Sequence, residues 1–410
     1  MSFNPAAVVV IPTRNRADLV RNAIRSVLNQ PNCEVDVLVS DNSNEPAASE
    51  SLVDFCRELA DQRLRYVRPP RPLPMTAHWD WALSRALESE ATHFAFLSDR
   101  MMFKPAHLQP VIDIVAEYPQ KILCYLHDKV ADFAPPYIVY QYDWTGKLYE
   151  VESTRLLTLS AQSVIYDMCF PRMLNCFVPR PILDAIKDRF GNIFTSIAPD
   201  WSFGYRALEM VDSLLYLNKS VLVHYAIARS NGESAERGID NQTYLEFVSE
   251  LPKPVNFDAP FPEIITVWNA VISEYCYAKK ESHSSKFPEL DMDKYMEALA
   301  TGIEYIQDPA RKKEMRERLL ARGWKPQADR ARRIPPDSFA RKLLSPRLVG
   351  RKLKSILGQS DPPVFKTADE ALEFALNHTR PRAKAVPWDE SVHQGVDVPR
   401  QTAANTDRVH

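Results

Sequence analysis

The chain has 410 residues, 45% of them hydrophobic and 25% charged, with a net charge of −2. That is an ordinary globular composition, long enough for about two or three domains, and it carries no overall basic footprint for nucleic acid. Its ten glycines begin only at Gly146, which excludes a P-loop or a dinucleotide fingerprint, since both need glycine after the first strand.

Ala7–Ile11 is an apolar, largely β-branched run between Pro5 and Pro12, expected as a buried first strand. It is too short for a signal peptide or a membrane span, and no basic stretch precedes it. The polar loop Thr13-Arg14-Asn15-Arg16 follows. Val20, Ala23, Ile24, Val27 and Leu28 then recur at helical spacing, with Asp18 near the helix start where the dipole favours it. Val35, Val37 and Val39 form a second strand ending in Ser40-Asp41-Asn42. Strand, helix, strand with short links implies a parallel pair. A helix over about 47–60, a strand Leu64–Val67, a stiff proline stretch from Arg68 through Arg71 to Pro74, and a helix over 75–87 come next. Phe94–Leu97 is another buried strand, broken by Ser98-Asp99-Arg100, and a helix over about 106–117 follows it. The alternation is that of a doubly wound α/β sheet. Asp41 and Asp99 are expected at its carboxyl edge, where such sheets bind ligands. Each could equally stabilise a local turn.

The stretch VVVIPTRNRADLVRNAIRSVLNQ, with VLVSDNSNE after it, resembles the opening of the family 2 glycosyltransferases. PMTAHWDWAL before the FLSDR strand is similar to a subgroup found in polysaccharide synthesis. The resemblance covers residues 6–105 and, more loosely, 160–235. It implies an inverting enzyme of the GT-A fold, with a mixed sheet and a nucleotide-sugar donor. It also implies that Thr13 and Asp41 hold the donor base, with Arg14, Arg68 and Arg71 on the donor side. The family's acidic motif binds a divalent metal on the donor diphosphate. Here only Asp99 remains of it, because Arg100 and Met101 stand where further acids are usual. A hard cation such as Mg or Mn wants oxygen ligands, so no metal site is assigned, and Asp99 is the one residue that would serve it. A guanidinium can itself stabilise a leaving diphosphate; alternatively, Arg100 pairs structurally with an acid and catalysis is lost.

Residues 137–153 are expected as a hairpin about Thr145-Gly146, with aromatics that either stack on sugar or cover the sheet. A helix starts at Pro181. In Pro199-Asp200-Trp201, before an apolar helix expected over 205–217, Asp200 corresponds to the acid that deprotonates the acceptor hydroxyl in the resembling family. N-capping is its alternative role. Trp201 is placed near the acceptor. The strand expected over 220–227 contains His224, either near the diphosphate or structural. Ser230 and Asn231 lie in a polar loop that either resembles one closing the donor site in related sequences or is a flexible surface loop. Helices are expected over 244–251, 263–278, 292–306 and 309–322, without visible chemistry, as a packing or acceptor-side extension.

The domain reading is a GT-A unit over 1–235, a helical extension over 236–330, a basic amphipathic segment and short helix over 331–378, and a disordered tail over 379–410. The acid-free stretch 339–357 mixes basic and apolar residues. It suits either an anionic membrane face near a lipid-linked saccharide acceptor or a plain solvated tail. Six cysteines without metal-like spacing read as reduced thiols of a cytoplasmic protein. A non-catalytic nucleotide-sugar-binding module is the second functional reading. A nucleotidyltransferase is the third, since Thr13-Arg14-Asn15-Arg16 has the charge for it but no glycine.

Overall fold

A computed structural model describes residues 6–141, 145–164, 169–195, 197–238, 242–251, 257–325, 363–378 and 396–397. The first half alternates as its apolar periods demand: β1 (Ala7–Thr13), α1 (Ala17–Leu28), β2 (Val35–Asp41), α2 (Pro46–Leu59), β3 (Leu64–Val67), α3 (Met75–Ala86), β4 (His93–Phe96), β5 (Met101–Phe103), α4 (Gln109–Glu117). Every residue of β1 and β4 is buried, as expected for strands covered on both faces. Strands β2, β1 and β4 run parallel, with Ala7 opposite Val35 on one side and His93 on the other. Two apolar layers sandwich the sheet. One includes Val8, Val10, Leu83, Phe94 and Phe96; the other includes Val9, Ile11, Ile24, Val39 and Leu97.

The second half continues with β6 (Leu123–Ala131), β7 (Tyr137–Tyr140), β8 (Leu148–Glu152), α5 (Ser153–Ala161), β9 (Cys176–Pro179), α6 (Arg180–Phe190), α7 (Pro199–Met210) and β10 (Ser213–His224). A 3-10 turn (Ile227–Arg229), α8 (Asn231–Arg237), α9 (Gln242–Glu250), α10 (Val267–Ser282), α11 (Met292–Tyr305) and α12 (Pro309–Ala321) follow. The last elements are β11 (Val364–Phe365), α13 (Ala368–Asn377) and β12 (Val396–Asp397). The main path of the sheet reads β12-β8-β10-β6-β9-β4-β1-β2-β3. Parallel and antiparallel neighbours make it mixed: β10 is parallel to β6 and antiparallel to β5 and β8. The architecture is thus mixed α/β, built on one central sheet.

Two expectations fail. Residues 137–153 are not a hairpin: β7 pairs with β6 and β11, whereas β8 pairs with β10. Tyr149 is 1% exposed and stacks on Tyr216, so this aromatic covers the sheet. The helix expected over 205–217 ends at Met210. Val211 turns to an extended conformation, and Leu214–Leu217 belong to β10. A short run that is apolar throughout fits a buried helix or a buried strand equally well, and here the strand neighbours decide.

The helices beyond residue 240 do not stand apart. Val271, Tyr275 and Ala278 of α10 join the core that holds Phe203 and Leu208 of α7. Helices α11 and α12 close a smaller cluster with Ile264 and Ile272. Helix α13 begins with the capping box Thr367–Glu370 and packs Ala371 and Ala375 on Val130, Val223 and Tyr225. The basic stretch 339–357 lies outside the described residues, as do 379–395 and 398–410. Among the described residues, no helix is long and apolar enough to cross a membrane.

Candidate active site

The three parallel strands deliver their polar ends to one rim. Thr13 is the register partner of Asp41. On its other side, Thr13 Oγ1 donates to Asp99 Oδ2 at 3.1 Å, across 86 residues of chain. Thr13, Asp41 and Asp99 are all buried. The rim is the carboxyl edge expected of such a sheet.

Asp41 is fully enclosed, yet its carboxyl lies below its ordinary value. Burial raises it, but hydrogen bonds from Ser43, Ser49 and Tyr66 outweigh that. Its Oδ1 accepts the Ser43 amide at 2.8 Å, an Asx-type turn, while Oδ2 accepts Ser49 Oγ at 2.5 Å and Tyr66 Oη at 2.8 Å. A donor base would have to share these oxygens. Next to it, Asn42 holds the end of the proline stretch through both the amide and the carbonyl of Leu73. Arg68 donates to the Ser43 carbonyl at 2.7 Å, and Arg71 is exposed.

Around Asp99 the side chains are cationic. Arg16 Nη1 lies 3.4 Å from Asp99 Oδ1, and Arg16 Nη2 donates to the Arg229 carbonyl at 2.8 Å. Arg14 is paired with Glu250 of α9. Arg100 turns inward: its Nη1 lies 2.8 Å from His224 Nε2, and its Nε lies 4.0 Å from Asp99 Oδ1. Burial lowers the Arg100 guanidinium to about 10, with Asp99 opposing and Arg16 adding to the shift, so it stays protonated at neutral pH. Burial first, then Arg100, His127, Lys129 and Arg172, hold His224 well below its ordinary value. His224 is therefore neutral and accepts from Arg100. It orients the guanidinium; it is not a second cation. Strand β10 makes this possible by placing His224 opposite Met101, the residue after Arg100.

The Nε atoms of Arg14, Arg16 and Arg100 are buried without a hydrogen-bond partner. Each such N–H costs roughly 1–3 kcal/mol, so guanidinium donors concentrated at one rim mark a place for an anion. A divalent metal fits poorly. The one carboxylate of the motif already accepts from Thr13 and faces two guanidinium groups. Among the described residues, no three His, Cys, Asp or Glu side chains are grouped to hold a metal.

Asp200 lies in the first turn of α7, where the helix dipole favours an anion. It is not the N-cap, a position taken by Ala198. The loop before it is held by two carboxylates that sequence reasoning did not single out. Asp80 of α3 accepts the Ile193 amide at 3.1 Å. Glu274 of α10 accepts Thr195 Oγ1 and, at 2.9 Å, the Ala198 amide. Arg206 bonds Asn192 and forks onto Glu281 of α10. The helical extension thus packs on and shapes the loop that leads to Asp200. No local motif announces this, since Glu274 is one acid within an amphipathic helix.

Three other expected site residues are placed differently. Trp201 is 8% exposed and packs on Phe170 at 4.8 Å, so it is a core side chain and not an acceptor platform. Its ring is large and apolar, and its helix is buried along most of its length. Ser230 caps α8 by accepting the Glu233 amide. Asn231 begins that helix, its Oδ1 buried without a partner. Arg16 joins the rim cations without having been foreseen.

Residues 8–172 match the family described as Glycosyl transferase family 2. No curated protein matches the sequence. Among solved structures, that of S. aureus TarS 1-349 aligns with a TM-score of 0.42 at 15% identity, over 75% of this chain and 82% of that one. The same protein in complex with UDP-GlcNAc aligns at 0.41 and 14% identity, over 75% and 83%. The longer S. aureus TarS structure aligns at 0.41 and 13%, over 77% of this chain and 53% of that one. The residues matched to that family carry Thr13, Asp41, Asp99 and Arg100.

Proposed function

We propose that this protein transfers a sugar, with inversion, from a nucleotide-sugar donor to an acceptor hydroxyl in surface polysaccharide assembly, and that a guanidinium does the work usually given to a metal. The observation that carries this reading is the inward-facing Arg100, held on His224 and 4.0 Å from Asp99, with no hydrogen bond at its Nε.

In this mechanism the donor lies along the rim of β1, β2 and β4, its base toward Thr13 and Asp41. Its diphosphate meets Arg16 and Arg100, whose charge-assisted N–H donors are aimed where negative charge grows as the sugar departs. Because the Arg100 side chain is only 12% exposed, its field is weakly screened by water. His224 keeps the guanidinium from rotating away. Asp200 accepts the proton of the attacking hydroxyl. That oxygen bonds to the anomeric carbon from the face opposite the leaving diphosphate, which takes the bonding pair. Alignment of the two substrates supplies much of the acceleration. The basic stretch 339–357 would bring the enzyme to an anionic membrane on its cytoplasmic side, close to a lipid-linked acceptor.

The test is calorimetric titration with a panel of UDP-, GDP- and dTDP-sugars, followed by donor turnover, both in EDTA. Binding and turnover that persist in EDTA are expected. Turnover only after Mg or Mn is restored would refute the guanidinium role. Binding without turnover under any metal condition would favour the non-catalytic nucleotide-sugar module. Asp99 being tied to Thr13 and Arg16 is the observation that keeps that second reading in play.

A further inference from the structure

Strand β11 and helix α13 come back from the end of the chain to the strands behind the donor rim. Strand β11 pairs with β7, Val364 opposite Ile138, and the Val139 amide donates to the Pro363 carbonyl. Helix α13 then crosses β6, β7 and β10. Its contact face is Ala371 and Ala375, both 0% exposed, flanked by Leu372, Phe374 and Leu376. Phe374 also packs on Phe365 at 5.0 Å. This apolar cluster is separate from the two that sandwich the sheet.

The cluster holds the main chain around two rim guanidinium groups. Met102 follows Arg100 by two residues, and Val223 precedes His224. These two are register partners, and both pack in the cluster. Tyr225 packs there too, 7% exposed, while its amide donates to the Arg100 carbonyl at 3.0 Å. Arg100 and His224 are thus bracketed by side chains seated in the cluster that α13 closes. Ala226, in the same cluster, is left-handed at φ +50°. An alanine keeps that conformation only where its surroundings impose it. In the turn it opens, the Ile227 amide donates to Asp132 Oδ1 at 2.7 Å, and the Arg229 carbonyl accepts Arg16 Nη2. Leu19 of α1, three residues after Arg16, packs against the cluster from the other side. One apolar support therefore serves both Arg16 and Arg100. A guanidinium ends a long, rotamer-rich side chain, and fixing its surroundings in advance lowers the ordering cost of binding an anion.

We propose that residues 363–378 are a positioning strap of the donor site, which holds Arg16 and Arg100 in the geometry that receives a diphosphate. The strap acts through Tyr225 and the turn after it. The inference rests on the sugar-transfer reading above, and it adds an element from the far end of the chain without which the site is incomplete.

The experiment uses the full chain with single substitutions. Ala371→Glu puts a carboxylate into the apolar contact, Phe374→Ala thins that contact, and Glu373→Ala, at an exposed position, is the control. Hydrogen exchange read by mass spectrometry should quicken roughly tenfold over 222–230 in Ala371→Glu, and less in Phe374→Ala, while β1 and β2 stay protected. The control should match the wild type. Calorimetry with UDP, GDP and dTDP should show the tightest binder weakened roughly tenfold by Ala371→Glu. In an Arg100→Ala background the same change should cost less than about threefold, because the two act through one group. Unchanged exchange over 222–230, unchanged affinity in both strap variants, or a full tenfold loss in the Arg100→Ala background would each overturn the proposal. So would a loss of protection throughout the chain in both strap variants, which would make α13 a part of the general core. Failure of the sugar-transfer reading looks different: none of the three nucleotides binds the wild type, and exchange over 222–230 then decides by itself whether the strap holds the rim.

Discussion

Glu274 offers a test in which the magnitude follows from the structure. It is 4% exposed on α10 and holds the loop before Asp200 through Thr195 and Ala198. Burial raises its carboxyl from 4.5 to about 7, opposed by the hydrogen bonds from Thr195 and Ala198 and by the charge of Arg206. The folded protein therefore keeps a proton that the unfolded chain releases between those values. Stability from this group is fully present below about pH 4.5 and is lost as pH rises through about 7. At 1.36 kcal/mol per tenfold change, the full loss is about 3 kcal/mol. Glu274→Gln fixes the neutral form while keeping an acceptor for the Ala198 amide. Urea unfolding of both proteins should show the variant gaining on the wild type by about 2–3 kcal/mol between about pH 5 and about pH 8. Parallel pH profiles would show that Glu274 is ionised and solvated at neutral pH, and the argument for a tightly held base loop would fall with it.

Arg100→Ala should weaken UDP binding by about 1.5–3 kcal/mol, roughly ten- to 150-fold, with Arg100→Lys recovering part of it; calorimetry showing unchanged affinity would remove Arg100 from the diphosphate. Asp200→Asn should lower kcat by ~10²–10⁴ while donor affinity holds, and an unaltered single-turnover rate would assign the proton to another group. Gly204→Ala tests the packing of α7 on the 169–171 segment. Its Cβ would meet Phe170 Cε1 at 2.1 Å and the Pro171 carbonyl oxygen at 2.5 Å. A loss of about 1–3 kcal/mol is expected from overpacking, and a neutral effect in thermal melting would mean that this contact yields easily.

Much of the rim was legible before any coordinates. The β-branched runs 7–11 and 35–39 and the apolar run 94–97 have a strand's character in their own residues. The spacing from Val20 to Leu28 has a helix's period. These are local properties, and parallel crossover topology then carries Asp41 and Asp99 to one edge. Where local pattern allowed two answers, it failed. Leu214–Leu217 became a strand because β6 and β8 flank it. Residues 137–153 look like a hairpin, but each half found a better partner elsewhere in the sheet.

What the residues alone determined is the alternating sheet, the polar residues at its carboxyl edge and the missing acids beside Asp99. Only tertiary structure decided which groups face one another across that edge. Arg100 meets His224 124 positions later, Arg14 meets Glu250 from α9, and Glu274 holds the approach to Asp200. Trp201 went to the core for the same reason that these pairs formed. Long-range packing selects partners by burial and charge compensation over the whole molecule. Neither quantity is written in any single stretch of chain.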